Sequence, residues 1–186
     1  MKKLKSFFAE NKAKLILLVL ILIISICLGI ASAFPLLTDD VKKEIITSFK
    51  NNLNINDYAF FPCFVSSLRL FVFIYLCGLL PKTRWASFLV LIIKGYSIGI
   101  TTILLASSLG TYGILISIIY ILVDIIILLP VLFWFVLQSF RIYENKKNIR
   151  LLWTIKFAFC IIFCIIFALI NAYLIPVFVL KLISYA

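Results

Sequence analysis

Five long apolar runs decide what this chain can fold into. They begin near Leu15, Phe60 and Trp85, just after Gly113, and near Leu151. Each is about 20 residues or longer, the length an α-helix needs to cross roughly 30 Å of hydrocarbon. Inside a bilayer every backbone N–H and C=O must be satisfied within the protein, so only helices or closed barrels cross it, and unbroken apolar runs lack the alternation of a barrel strand. The expected fold is therefore all-α: a polytopic integral membrane bundle of about five transmembrane helices plus a short interfacial helix. Composition agrees, since 65% hydrophobic and 13% charged residues among 186 leave too little polar surface for a water-soluble domain.

The net charge of +11 raises nucleic acid as a partner, but the basic residues cluster at the ends of the apolar runs. That is the orientation signal of a membrane protein, and no basic domain stands outside the membrane to grip a phosphate backbone. The tail 1–14, the connection Pro81–Arg84 and the stretch Arg141–Arg150 together hold 11 of the 18 Lys and Arg residues. The positive-inside rule then puts the N-terminus in the cytoplasm and, after five crossings, the C-terminus outside a bacterial cell membrane. Trp85, Trp134 and Trp153 fall at the basic ends, where an aromatic belt is expected.

The predicted organisation is a basic tail over 1–14, a first span over 15–34, an extracytoplasmic loop over 35–59 and a four-helix transmembrane bundle over 60–186. Ala31-Ser32-Ala33 resembles a signal-peptidase site, but the apolar run before it exceeds the usual length of a signal peptide's core, so it is read as a retained anchor. In the loop, Thr38 to Leu53 reads as an amphipathic helix. Asp39 and Asp40 suit its positive first turn, and Val41, Ile45, Phe49 and Leu53 recur every fourth residue on one side. Such a helix beside two spans lies along the membrane surface, covering the bundle or docking a partner. Asn171 and Pro176 interrupt the last run and predict a kink before Lys181.

Charges inside spans are costly, at least ~2.5–3.5 kcal/mol each, and so mark pairs or function. Lys156 is near enough to an interface to snorkel. Arg69, Lys94 and Asp124 lie deeper and form a candidate intramembrane charge cluster. Counting from the glycine turn, Lys94 and Asp124 differ in height by roughly 7–8 Å, which a lysine side chain largely bridges. A Lys94–Asp124 contact across the third and fourth spans is expected, with Arg69 reaching toward headgroups or a lipid phosphate. Gly95 and Gly99 form a small-xxx-small pattern, flanked by Ser97, Thr101 and Thr102, that predicts close helix packing within the bundle or against a partner's anchor. Gly110 and Gly113 mark the following turn.

Catalysis finds little support. No histidine is present for Ser/His or zinc chemistry, Asp124 is the sole carboxylate within a span, and no phosphate-loop pattern occurs. Cys160 and Cys164 share a helix face but lack further ligands, so they read as small apolar packing residues. No cofactor or metal is expected, and membrane lipids are the general partner.

The order of motifs resembles the stage II sporulation protein M family. The likeness is carried by Gly78-Leu79-Leu80-Pro81, Lys94-Gly95 with Gly99, Gly110 with Gly113, Pro130, and the closing segment around Pro176. Two positions depart from it. Members often have Leu-Pro and then polar residues where this chain has Leu122-Val123-Asp124, and often a glutamate where it has Asn171. The resemblance implies a non-enzymatic scaffold that holds two wall-degrading partners, stage II sporulation proteins D and P, at the mother-cell septal membrane during engulfment. Gly95 and Gly99 are the candidate contact, and a homo-oligomer is compatible with such packing. The other reading is a small transporter or channel subunit, for which Lys94 and Asp124 are the candidate residues.

Overall fold

A computed structural model describes residues 12–53, 60–80, 82–141 and 149–178. Most of the basic tail, Asn54 and Asn56, Pro81, 142–148 and Lys181 lie outside these. The described elements are α1 (Lys12–Ala33), α2 (Asp39–Leu53), α3 (Phe60–Leu79), α4 (Ser87–Leu109), α5 (Thr111–Val123), α6 (Leu129–Arg141) and α7 (Ile149–Leu169). A π-helical segment, Asp124–Leu128, joins α5 to α6, and another, Ile170–Leu174, continues α7. Five helices are long and apolar enough to cross a membrane: Lys12–Ala33, Phe60–Leu79, Arg84–Leu109, Thr111–Phe140 and Leu151–Phe178. The fold is an all-α polytopic bundle.

Both π segments have a local cause. Pro130 and Pro176 each stand two residues beyond the end of one, at Leu128 and Leu174. A proline inside a helix removes one i→i−4 hydrogen bond and its ring crowds the preceding turn. An i→i+5 turn absorbs that misfit without breaking the rod. The interruption at Asn171 and Pro176 is thus a π turn, and Pro130, which carried no expectation of a kink, produces the same device.

The spans alternate in direction, so one end of the bundle gathers Lys12, the 82–84 connection and the end of α6, and the other gathers 34–53 and the 110–113 turn. At the first end Thr83 Oγ1 donates to the carbonyls of Cys77 (3.1 Å) and Leu80 (3.2 Å), closing the connection on α3. Arg84 Nη1 donates to the Phe140 carbonyl at 3.3 Å, and the buried hydroxyls of Ser87 and Ser139 meet at 3.3 Å, so the starts of α4 and the end of α6 are tied.

An aromatic core sits toward this end. Trp153, fully buried, stacks on Phe135 with ring centroids 4.4 Å apart, and its Nε1 donates to the Tyr75 carbonyl at 3.0 Å. A Cβ on Gly78 would run into the Trp153 ring, which is why α3 carries glycine there. The expectation of an interfacial belt therefore holds for Trp85, 70% exposed, and fails for Trp153. An indole whose N–H finds a backbone acceptor can be buried whole, and position along the span does not reveal that. Lys156 is also held: its Nζ donates to Gln138 Oε1 at 2.7 Å.

α1 belongs to the bundle rather than standing apart from 60–186. It runs along α4, with Leu18, Leu22, Ser25, Gly29 and Ala33 buried, while Ile16, Leu17, Leu20, Ile23, Ile24 and Leu28 stay exposed for lipid. α2 packs on α4 with Val41 and Ile46 half-buried; Asp39, Asp40, Lys43 and Glu44 face outward. The Thr38 carbonyl accepts the Lys42 N–H at 3.1 Å, starting the helix as expected. The side chains of Ile45, Phe49 and Leu53 lie outside the described ones.

Candidate functional site: a charged crevice behind a glycine seam

The seam comes first, because it positions the rest. A Cβ built on Gly95 would come 2.8 Å from Ser25 Cβ and 2.9 Å from the Leu22 carbonyl oxygen. One on Gly99 would overlap the Ile26 carbonyl oxygen, and one on Gly29 the Tyr96 carbonyl oxygen. α1 and α4 therefore touch backbone to backbone over three rungs, which only glycine allows. Ser32 Oγ reaches Tyr96 Oη at 2.9 Å across the same contact. Gly95 and Gly99 are thus packed within the chain's own bundle, and their close-contact face is already occupied by α1.

Gly110 and Gly113 shape the turn at the far end of α4. Gly110 has φ +61°, ψ −133°, a conformation strained for any residue with a Cβ. Gly113 lies so close to the Leu105 backbone that a Cβ would overlap it. The two glycines bring α5 down tightly beside α4 and fix how α5 faces it.

That register sets Lys94 opposite Asp124. Lys94 Nζ stands 2.8 Å from Asp124 Oδ1, with the two side chains 18% and 12% exposed. The distance is that of an ion pair, although Oδ1 accepts no well-aligned hydrogen bond among the described residues. The ammonium also lies 5.7 Å from the Phe167 ring centroid, within cation–π range. Pairing is what makes two charges tolerable at this depth. Arg69 does not join them: it is exposed on α3 and makes no ion pair among the described residues. Its position suits a side chain extending toward headgroups.

The pair forms the floor of a crevice of about 410 Å³ lined from α3 by Cys63 and Ser66, from α4 by Ser97, Thr101 and Thr102, and from α5 by Ser117 and Tyr120. Phe167 and Asn171 close it from the last span. The crevice lies in the half of the bundle nearer residues 34–59, where α3 and α4 pack only lightly. Each π segment contributes a polar residue to it, Asp124 from one and Asn171 from the other. π turns recur at functional sites because they rotate a side chain out of the regular helical register. Sequence reasoning found Lys94 and Asp124 but missed Ser66, Ser117, Tyr120 and Asn171 as partners of that pair. The signal lay in the hydroxyls at Ser97, Thr101 and Thr102, whose face is the one turned from the seam.

No family model, no curated protein and no solved structure matches this chain.

Proposed function

We propose that this chain is a non-enzymatic membrane scaffold of the stage II sporulation protein M type, which recruits and anchors peptidoglycan-degrading partners at the septum during engulfment. On this reading the spans sit in the cell membrane, N-terminus cytoplasmic and C-terminus outside, with the mother-cell septum as the site of action. The observation that carries it is α2: an amphipathic helix docked on α4, holding Asp39, Asp40, Lys43 and Glu44 outward as a fixed charged face. A platform of that kind suits the external parts of membrane-anchored wall enzymes, here stage II sporulation proteins D and P by resemblance. The two departures from the family pattern also become coherent, because Asp124 and Asn171 line one crevice. The family's acid at the second position is replaced by an acid at the first, across the same space.

The test is capture of the D- and P-type partners by tagged full-length chain from detergent extracts of sporulating cells. An Asp39→Lys, Asp40→Lys variant is expected to express normally and lose them. Undiminished capture by that variant overturns the platform. The crevice favours a second reading, a small transporter or channel subunit, since a polar, charged cavity within a bundle is where such proteins hold a solute. Deletion separates the two: arrested engulfment with misplaced wall enzymes supports the scaffold, and normal engulfment with loss of uptake or efflux of one solute supports the transporter.

A further inference from the structure

The crevice has a definite hydrogen-bonding character. Ser66 Oγ donates to the Cys63 carbonyl (2.9 Å), Thr101 Oγ1 to Ser97 (2.9 Å), Thr102 Oγ1 to Ile98 (2.7 Å) and Ser117 Oγ to Ile114 (2.8 Å). Asn171 Nδ2 donates to the Phe167 carbonyl at 2.9 Å, which fixes that carboxamide's orientation. All these protons go to the residue's own helix. What remains on the hydroxyls and the carboxamide are oxygen lone pairs. Asp124 Oδ1, on a residue only 8% exposed, adds an acceptor without a well-aligned donor. The walls therefore call for a ligand rich in donors.

The floor decides the ligand's charge. Lys94 and Asp124 stand 2.8 Å apart and sum to zero. An anion drawn to Lys94 meets the carboxylate beside it, and a cation drawn to Asp124 meets the ammonium, so neither gains. The acceptors run along α4 from the Lys94 level to Thr102, roughly 12 Å of helix. That is too long a stripe for a single ammonium or hydroxyl to use, and it suits a molecule carrying several hydroxyls in a row. Tyr120 and Phe167 supply aromatic walls beside it.

We infer that the crevice binds an uncharged, hydroxyl-rich group, whether a free sugar or the sugar headgroup of a glycolipid entering between α3 and α4. Its hydroxyl protons are received by Thr101, Thr102, Ser117 and Asn171, with the Lys94–Asp124 pair as the floor. This goes beyond the scaffold reading, and its failure leaves partner capture untouched.

The test uses the full chain in an amine-oxide detergent, which has no sugar head of its own. Binding of tritiated trehalose is measured by equilibrium dialysis. A diglucosyl diacylglycerol is tested in phosphatidylglycerol nanodiscs by its retention on the protein. Saturable binding of either probe is expected, and which one binds names the source. Thr102→Val with Ser117→Ala removes two acceptors that support no other helix, and should weaken binding about tenfold. Should that pair disturb folding, Ser66→Ala, at an exposed position on α3, gives the same readout. Inorganic phosphate, choline and glycine should not compete. The inference is overturned if neither probe binds saturably, if well-folded variants bind as tightly as the parent, or if any of those ions competes.

Discussion

Replacing Gly99 by alanine tests the seam with a single methyl group. In an ordinary helix the change stabilises by about 1 kcal/mol, because glycine has more backbone freedom to lose. Here the new Cβ overlaps the Ile26 carbonyl oxygen and lies 3.0 Å from Ile30 N and 3.1 Å from Gly29 Cα. All three are backbone atoms of α1, so no side chain can turn aside and the helices must part by several tenths of an ångström. A gap of about 0.5–1 Å forfeits a quarter to a half of each dispersion contact it opens. Leu22 and Ile98 are the buried aliphatics beside the seam. A chain of that size makes about 40–60 contacts of ~0.1–0.2 kcal/mol, so the pair loses about 3 kcal/mol in all. After the helical gain, the net cost is about 2 kcal/mol, within the usual range for overpacking. In thermal unfolding of the purified chain this corresponds to a Tm drop of about 4–8 °C. A rise in Tm would refute the reasoning, because it would mean that only the helical gain is felt and the backbones do not touch.

Three further outcomes follow from the same geometry. Gly110→Ala meets open space but not an allowed backbone conformation, so it should destabilise by about 1–3 kcal/mol in the same unfolding assay, from strain alone. Trp153→Phe keeps the stack on Phe135 and loses the bond to the Tyr75 carbonyl, and should cost about 1–3 kcal/mol through the acceptor left buried, read from the chemical-denaturation midpoint. Arg69→Leu removes an exposed charge with no ion pair among the described residues, and should leave stability unchanged or improve membrane insertion by up to about 3 kcal/mol, measured by glycosylation-reporter insertion.

Much of the architecture is legible in the sequence because hydrocarbon thickness leaves few choices. Span ends near Ala33, Phe60, Leu79, Leu109 and Phe140 follow from apolar length and flanking charge. The meeting of Lys94 and Asp124 follows from counting rise per residue on either side of a tight turn. What periodicity cannot give is the identity of a neighbour. Gly95 and Gly99 announce a close approach, yet α1, a partner or another copy would each satisfy the pattern, and only the fold assigns it to Leu22, Ser25 and Ile26. Trp153 illustrates the same limit, since a tryptophan near a span end suits either the interface or a core with a backbone acceptor. The π turns before Pro130 and Pro176 shift the register by a residue, so a regular helical wheel misplaces Asp124 and Asn171. That is why the crevice they share was visible only as scattered serines and threonines.

The account rests on Lys94 and Asp124 neutralising one another at the crevice floor, and a double-mutant cycle of Lys94→Met and Asp124→Leu measures that directly. Each single change should destabilise by about 3–5 kcal/mol, because it strands the opposite charge in a low-dielectric interior. The double variant should recover most of that loss, giving a coupling of about 3 kcal/mol or more in reversible unfolding. Additivity to within about 0.5 kcal/mol would contradict the pairing and, with it, the neutral floor on which the crevice is built.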